Sequence, residues 1–334
     1  MVNYGVKMGT KEDILLLLEK NRGQSISGQL MAENLNISRA AVWKNIKLLE
    51  QEGHLIEAST KVGYKLVDNS DILSASGINA ILEKEGVYNQ KIIYYRSIDS
   101  TNKEAKRLIL DNLEHTAVVV SDHQTAGLGR NGKSFFSPSG SGLYLSMVLK
   151  PKIEPTVALR VTSAAAVATC RAIEEATSIK AKIKWVNDIY IDKLKVAGIL
   201  TEGISGFESR RIESIVVGIG LNFREPDEGF PTELKNVATS LFPKGQAVTT
   251  SRNEIAAKLI IHLLSLTNNL DDNSYIEEYR NRSMVLHKDL FVITPNSRYQ
   301  AFVKHIDDNG ALVVVLEDGT KQLLQSGEIS LRFD

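Results

Sequence analysis

The chain has 334 residues, 43% of them hydrophobic and 24% charged, which is ordinary globular material with room for two or three domains, each with its own core. Forty basic residues balance forty acidic ones, so no global field draws the protein onto nucleic acid, and any such contact must come from a local patch. The single cysteine, Cys170, excludes an internal disulfide and a cysteine-rich metal site; it sits in an alanine-rich run and reads as core. The amino terminus lacks the apolar segment of a signal peptide, and the apolar run Ile14–Leu18 is far below the roughly 20 residues that span a bilayer. The expectation is a cytoplasmic protein.

Thr10 with Asp13 has capping-box spacing and opens an apolar helix at about Lys11. A second helix, Gly28–Leu35, follows Ser27, and a third, Arg39–Gln51, follows Ser38. The third places Val42, Ile46 and Leu49 on one face and Arg39, Lys44 and Lys47 on another. Gly53 ends it, and His54–Glu57 and Tyr64–Val67 read as two strands about a turn holding Lys61. This order predicts a winged helix-turn-helix over residues 1–67. Its basic excess is small, but the stretch from Ser38 to Lys47 carries basic residues and no acid. Ser38, Arg39, Trp43, Lys44 and Lys47, with Lys61 in the wing, are therefore the candidates for DNA contact, protein docking being the other use of such a face.

Asp68–Ser76 is polar and marks a boundary to a larger segment over residues 68–283. Strands are expected at Ile92–Tyr95, Ala117–Ser121 and Leu143–Leu149, with a helix capped by Thr101 and Glu104 running to about Asp111 and a long one over Ala158–Ala176. Strands near Ile183–Ile191, Val196–Glu202 and Ile212–Ile219 follow, the first two joined so tightly that they must be antiparallel. Helices are expected at Arg252–Leu270 and Tyr275–Arg282. The class is α+β with a mixed, antiparallel-rich sheet. From Lys288 onward short strands alternate with turn signals such as Asp318–Gly319, which predicts a small SH3-like barrel over residues 284–334.

The segment Gly127–Ser134, GLGRNGKS, satisfies the P-loop pattern letter for letter. A P-loop must run straight into a helix, but SFFSPSGSG follows and breaks any helix, so a nucleotide triphosphatase is set aside. The loop still offers backbone N–H groups at its glycines and the charges of Arg130 and Lys133, a cradle for phosphate.

Five stretches together resemble the biotin–protein ligase family: Gln124–Leu149 (QTAGLGRNGKSFFSPSGSGLYLSMVL), Asp99–Asn102 (DSTN), Lys184–Asp188 (KWVND), Lys195–Leu200 (KVAGIL) and Gly218–Asn222 (GIGLN). With the winged helix and Gly327–Arg332 near the end, the resemblance covers nearly the whole chain, and it points to the bifunctional ligases that are also biotin operon repressors. The resemblance implies activation of biotin by ATP to biotinoyl-AMP, then transfer to a lysine of a biotin carboxyl carrier protein. It also implies operator DNA as a partner and a homodimer in the adenylate-bound state. Ser100, Thr101, Asn102, Gln124, Gly127, Gly129, Arg130, Lys195 and Gly198 would hold biotin. Arg130, Lys133, Lys184, Asn187, Asn222 and Arg332 would hold the nucleotide. The chemistry brings a carboxylate onto a phosphate, anion against anion, so Lys195 and Arg130 are the catalytic cations, and Asp188 would hold Mg²⁺ or orient the incoming amine. Leu128, Phe135 and Val186 depart from the family's usual arginine, tryptophan and proline, and none of these removes an essential charge. A biotin sensor without catalysis and a ligase for a lipoate-type acid are the competing readings.

Overall fold

The computed structural model describes residues 9–111, 113, 116–150, 158–205, 212–268, 270, 272, 274–293, 297–325 and 328–331. Helices α1 (Thr10–Lys20), α2 (Gly28–Leu35) and α3 (Arg39–Gln51) precede a two-stranded wing, β1 (Ile56–Ser59) and β2 (Gly63–Leu66). Their apolar stripes meet in one cluster containing Ile14, Leu18, Met31, Val42, Ile46, Leu49 and Leu66. Ser27 and Ser38 cap α2 and α3 as their positions predict, accepting from the N–H groups of Leu30 (3.0 Å) and Ala41 (3.1 Å). Thr10 does not cap α1. Gly9 is the cap and Thr10 the first helical residue, with Glu12 and Asp13 supplying negative charge to the first turn. The wing's first strand also begins later than the sequence suggests, because the His54 N–H is engaged by the Leu49 carbonyl and still closes α3.

Burial of the His54 ring pushes its pKa down to about 4, with Glu52 opposing and Arg22 and Lys11 adding to the shift. The folded value lies below the unfolded one near 6.5, so this contribution to stability is whole above pH 6.5 and is lost as pH falls toward 4. The full swing is about 3 kcal/mol. Hydrogen exchange of the α3 amides is expected to accelerate between pH 7 and pH 5 beyond the intrinsic pH effect, and His54→Leu should remove that excess.

The central sheet has seven strands in the order β3-β4-β5-β9-β8-β7-β6. They are β3 (Lys91–Tyr95), β4 (Ala117–Ser121), β5 (Gly142–Leu149), β6 (Lys182–Lys184), β7 (Asp188–Ile191), β8 (Leu194–Ser205) and β9 (Ile212–Asn222). Only β3 and β4 run parallel, the mixed, antiparallel-rich arrangement expected. Helices α4 (Ala75–Lys84), α5 (Thr101–Leu110), α6 (Ala158–Thr177), α7 (Arg252–Thr267) and α8 (Ser274–Arg282) surround it. Along β4, Val118 and Val120 join the cluster that includes the α6 alanines, while Ala117 and Val119 join Ala105 of α5. Both faces are thus covered, which is why the strand reads as continuously apolar. Cys170 lies in the first cluster, where burial pushes its thiol up to about 12.

Three details differ from the expectations. The expected strand near Ile183–Ile191 is a hairpin, β6 to β7, with Ile183 opposite Ile189 and Lys184 opposite Asp188. Its tip, Trp185–Asn187, contains a cis peptide bond between Trp185 and Val186, and the Trp185 indole donates to the Gly310 carbonyl at 2.9 Å. The helix starting near Thr101 is capped one residue earlier, by Ser100, whose hydroxyl faces the Lys103 N–H. Helix α4 begins inside the segment read as a polar boundary. Ser74 caps it, Ser76 donates to the Glu12 carbonyl at 3.0 Å, and Asn253 of α7 accepts from the Ser74 N–H at 3.0 Å.

The junction after the wing is tightly held. The Arg22 guanidinium donates to the carbonyls of Val67, Asp68 and Ser70 at 2.9–3.2 Å. Buried Arg252 bonds Asp71 on one side and Asp122 on the other. Burial pushes Asp122 upward, but hydrogen bonding from Ser139 and the Arg252 charge outweigh it and hold the carboxyl below its ordinary range.

The C-terminal SH3-like unit is a five-stranded antiparallel sheet in the order β13-β12-β11-β10-β14. Its strands are β10 (Asp289–Ile293), β11 (Arg298–Ile306), β12 (Leu312–Val315), β13 (Lys321–Leu324) and β14 (Glu328–Leu331). Its inward residues Leu290, Val292, Val303 and Leu312 are continuous with the central core. Among the described residues no helix is long and apolar enough to cross a membrane.

Candidate active site and nucleic-acid face

The glycine-rich loop folds as an irregular hairpin and not as a strand-to-helix turn, which removes the P-loop reading. Phe135 N–H bonds the Gly127 carbonyl (2.9 Å) and Gly129 N–H bonds the Lys133 carbonyl (2.7 Å) around a single 3₁₀ turn at Arg130–Gly132. Asn131 at the tip has φ 56°, a left-handed conformation that asparagine tolerates. A side chain at Gly127 would strike the Phe135 carbonyl and the Ser137 hydroxyl, so this glycine shapes the loop. It lines neither cavity described below.

Two cavities adjoin beneath the loop. The inner one, about 450 Å³, is bounded by Ser100, Thr101, Asn102 and Gln124, by Gly198 of β8 and by Gly218 and Gly220 of β9. Ser100, Thr101 and Asn102 are nearly fully buried at the start of α5. Gln124 Oε1 accepts from Thr101 N–H at 2.8 Å, and its Nε2 donates to Ser137 Oγ at 3.0 Å. The glycines are required by close approach: a Cβ at Gly218 would collide with the Asn102 carboxamide, and one at Gly220 with the Phe135 ring. The part of the wall formed by Ser100, Thr101, Asn102 and Gln124 is neutral and polar, suited to an uncharged hydrogen-bonding head group.

The outer cavity is larger, about 1320 Å³, and more mixed in character. Lys133, Lys184, Asn187, Asp188 and Asn222 reach it, as do Trp185, Phe230, Leu234 and Val237. Lys184 Nζ lies 5.7 Å above the Tyr190 ring, and Asn222 Nδ2 donates to the Thr239 carbonyl at 2.9 Å. The apolar residues from 230 to 238 were not identified from sequence. They lie in a proline- and glycine-punctuated stretch without helical or strand periodicity, and they reach the site because residues Val237 and Thr239 hydrogen-bond the backbone of Lys195 at 2.9 and 2.8 Å.

Arg130, Lys195, Asn187, Gly129 and Phe135 border both cavities. Arg130 Nη1 donates to Asn187 Oδ1 at 3.0 Å, and Asn187 Nδ2 is anchored on the Ile199 carbonyl at 2.8 Å. Lys195 Nζ pairs with Asp188 Oδ1 at 2.6 Å, both side chains roughly a quarter exposed. The lysine stem lies over Gly198, where a Cβ would stand 3.1 Å from Nζ. The sequence-derived set thus converges on one place, apart from Gly127; Arg332 lies outside the described residues. Asp188 is the one carboxylate that borders either cavity among the described residues. A single carboxylate suits a Mg²⁺ ion carried in on nucleotide phosphates better than a resident all-protein cage.

On the winged helix, Ser38, Arg39, Trp43, Lys44 and Lys47 are all exposed on one side of α3, and Lys61 is exposed at the turn of the wing. Trp43 has 57% of its surface in solvent, an unusual position for an indole without a partner surface to meet. Lys47 pairs with Glu50 at 2.6 Å, and the Ser38 cap spends its oxygen on Ala41 but keeps its proton to donate.

Comparison with known proteins agrees with this layout. A biotin/lipoate A/B protein ligase family model matches residues 94–222, an HTH domain model residues 10–65, and a biotin protein ligase C-terminal domain model residues 300–332. The bifunctional ligase/repressor BirA of Bacillus spizizenii is 34% identical over 329 residues, 96% of this chain and 98% of its own. The chain belongs to the bifunctional biotin ligase/repressor family. Another member, BirA of Bacillus subtilis, is 40% identical over 69% of this chain and 70% of its own, and that of Escherichia coli is 28% identical over 93% and 94%. Among solved structures, the biotin protein ligase from Aquifex aeolicus in complex with biotin and ATP superposes with a TM-score of 0.60 at 27% identity, covering 72% of this chain and 98% of its own.

Proposed function

We propose that the protein is a biotin–[acetyl-CoA-carboxylase] ligase that also represses transcription in response to biotin. The observation that carries the enzymatic half is the junction of the two cavities, where Arg130 and Lys195 both stand. Biotin's uncharged ureido head fits the neutral inner wall, its carboxylate points to the junction, and the nucleotide occupies the outer cavity. The carboxylate oxygen attacks the α-phosphorus of ATP and pyrophosphate leaves. A lysine amine of the carrier protein then attacks the acyl carbon of biotinoyl-AMP, and AMP leaves.

Lys195 and Arg130 neutralise the repulsion between the approaching carboxylate and phosphate, and fixed donors of this sort gain strength where water is limited. Asp188 orients Lys195 and the incoming amine. Mg²⁺ bound to the triphosphate would shield its charge, with Asp188 as its protein ligand. Retention of two cations at the junction argues against a sensor of biotin alone, which needs no phosphate neutralisation. The adenylate acts as co-repressor, favouring a homodimer that reads two operator half-sites, and the protein works in the cytoplasm, beside its carrier protein and its DNA.

The deciding experiment is incubation with ATP, labelled biotin and a biotin carboxyl carrier domain. Covalent label on the carrier that requires both ATP and this protein is the expected result. Label from lipoate and none from biotin would replace the substrate.

A further inference from the structure

A chain of buried hydrogen bonds runs from β8 under the inner cavity to Thr101, and its direction is dictated from one end. Asn102 turns one end of its carboxamide toward Glu202 Oε2 (2.8 Å) and the Leu200 carbonyl (3.3 Å). Both are acceptors, so that end must be the NH₂ group. The other end is then the oxygen, and it faces Ser146 Oγ at 2.6 Å. An amide oxygen only accepts, so the Ser146 proton is spent on it. Ser146 Oγ also lies 2.7 Å from Thr101 Oγ1, and with its own proton committed it can only receive the proton of Thr101. Thr101 Oγ1 also lies 3.2 Å from Gln124 Oε1, but the shorter contact with Ser146 has no other proton to fill it, so Thr101 turns its proton inward and keeps lone pairs on an oxygen that lines the cavity. The far end of the chain is fixed by charge, since Glu202 Oε1 pairs with Lys106 Nζ at 2.6 Å. Ser146, Thr101 and Asn102 are all buried, so water cannot easily reverse the sequence.

From this geometry we infer that Glu202, acting through Asn102 and Ser146, is a positioning residue that makes the Thr101 hydroxyl an obligate acceptor for an N–H group of the ligand. The inference rests on the biotin reading above, because the ureido head offers two such N–H groups. Glu202 itself touches no ligand. It sets the polarity of a wall with two residues between, and an amide in its place, able to present either N–H or C=O to Asn102, would leave only the longer contact to the Leu200 carbonyl to hold the direction of the chain.

The test uses the full-length protein, biotin, and the two carbamate analogues in which one or the other ureido N–H is replaced by ring oxygen. Transfer to a carrier domain is followed for each. Wild type is expected to reject at least one carbamate strongly, because a buried acceptor would face an oxygen. In Glu202→Gln the ratio of biotin to that carbamate in kcat/KM should fall by about tenfold or more, the effect falling on the KM for biotin more than on kcat. Ser146→Ala, which cuts the chain without changing its bulk and so guards against a folding failure in the first variant, should give the same loss of discrimination. Equal weakening of biotin and carbamate in folded variants, with the ratio preserved, means that Glu202 is merely structural and overturns the inference alone. Wild type that accepts both carbamates as well as biotin does the same. Wild type that transfers no biotin at all overturns the inference together with the reading beneath it.

Discussion

Lys195→Ala is expected to lower the rate of biotin transfer by about 100- to 1,000-fold, the usual consequence of deleting a fixed charge-stabilising donor from a shielded site. The lysine stands at the border of both cavities, so no solvent cation can take its place at the same geometry. Its loss also strands the Asp188 carboxylate, whose Oδ1 it holds at 2.6 Å. Two effects are therefore mixed in the single variant, and a second separates them. In Lys195→Met with Asp188→Asn the uncompensated charge is gone, so thermal stability should recover while activity does not. Biotin-dependent exchange of pyrophosphate into ATP measures the first step and carrier labelling the second. Both should fall with Lys195, since adenylation precedes transfer. A full rate of labelling in Lys195→Ala would displace the lysine from the centre of the mechanism.

Lys44→Ala with Lys47→Ala should weaken operator binding by roughly 50-fold near 0.1 M salt and reduce the slope of log K against log salt by about 2, since each phosphate contact contributes about 0.9. Biotin transfer should be untouched, because these residues lie on α3, away from both cavities. The two lysines are not equivalent. Lys47 already pairs with Glu50, so part of its charge is engaged before DNA arrives. Lys44→Ala alone should thus account for more than half of the change. Fluorescence anisotropy across a salt series reads both quantities, and an unaltered slope would mean that α3 does not lie against phosphate.

Much of the architecture was legible in the residues because local signals agreed with tertiary need. Ser27 and Ser38 announce their helices, and the apolar stripe of α3 is the stripe that the core buries. The residues around the cavities were legible where their chemistry is charged or glycine-bound, as at Arg130, Lys195 and Gly198. They were not legible where a residue acts through distance in sequence. Glu202 sits 100 positions from the Asn102 it holds, and nothing near either one signals the pairing. The KWVND hairpin was misread as one strand because Trp185 and Val186 favour extended structure, and the tertiary bond from the indole to Gly310 is what stabilises the turn. Helix α4 was hidden by the polar DNSD run before it, although its capping serine is plain once the Asn253 contact is known.

The arginine-bound crossing from Val67 to Asp71 bears on how the two halves of the molecule communicate. A slack tether would let the recognition helix wander, and no event at the vitamin pocket could be felt there. Here three carbonyls within four residues are gripped by Arg22 and a carboxylate by Arg252, and the second of these also grips Asp122, two positions before Gln124 in the inner wall. Orientation, once set at the sheet, is handed across with little play, as along a short stiff lever.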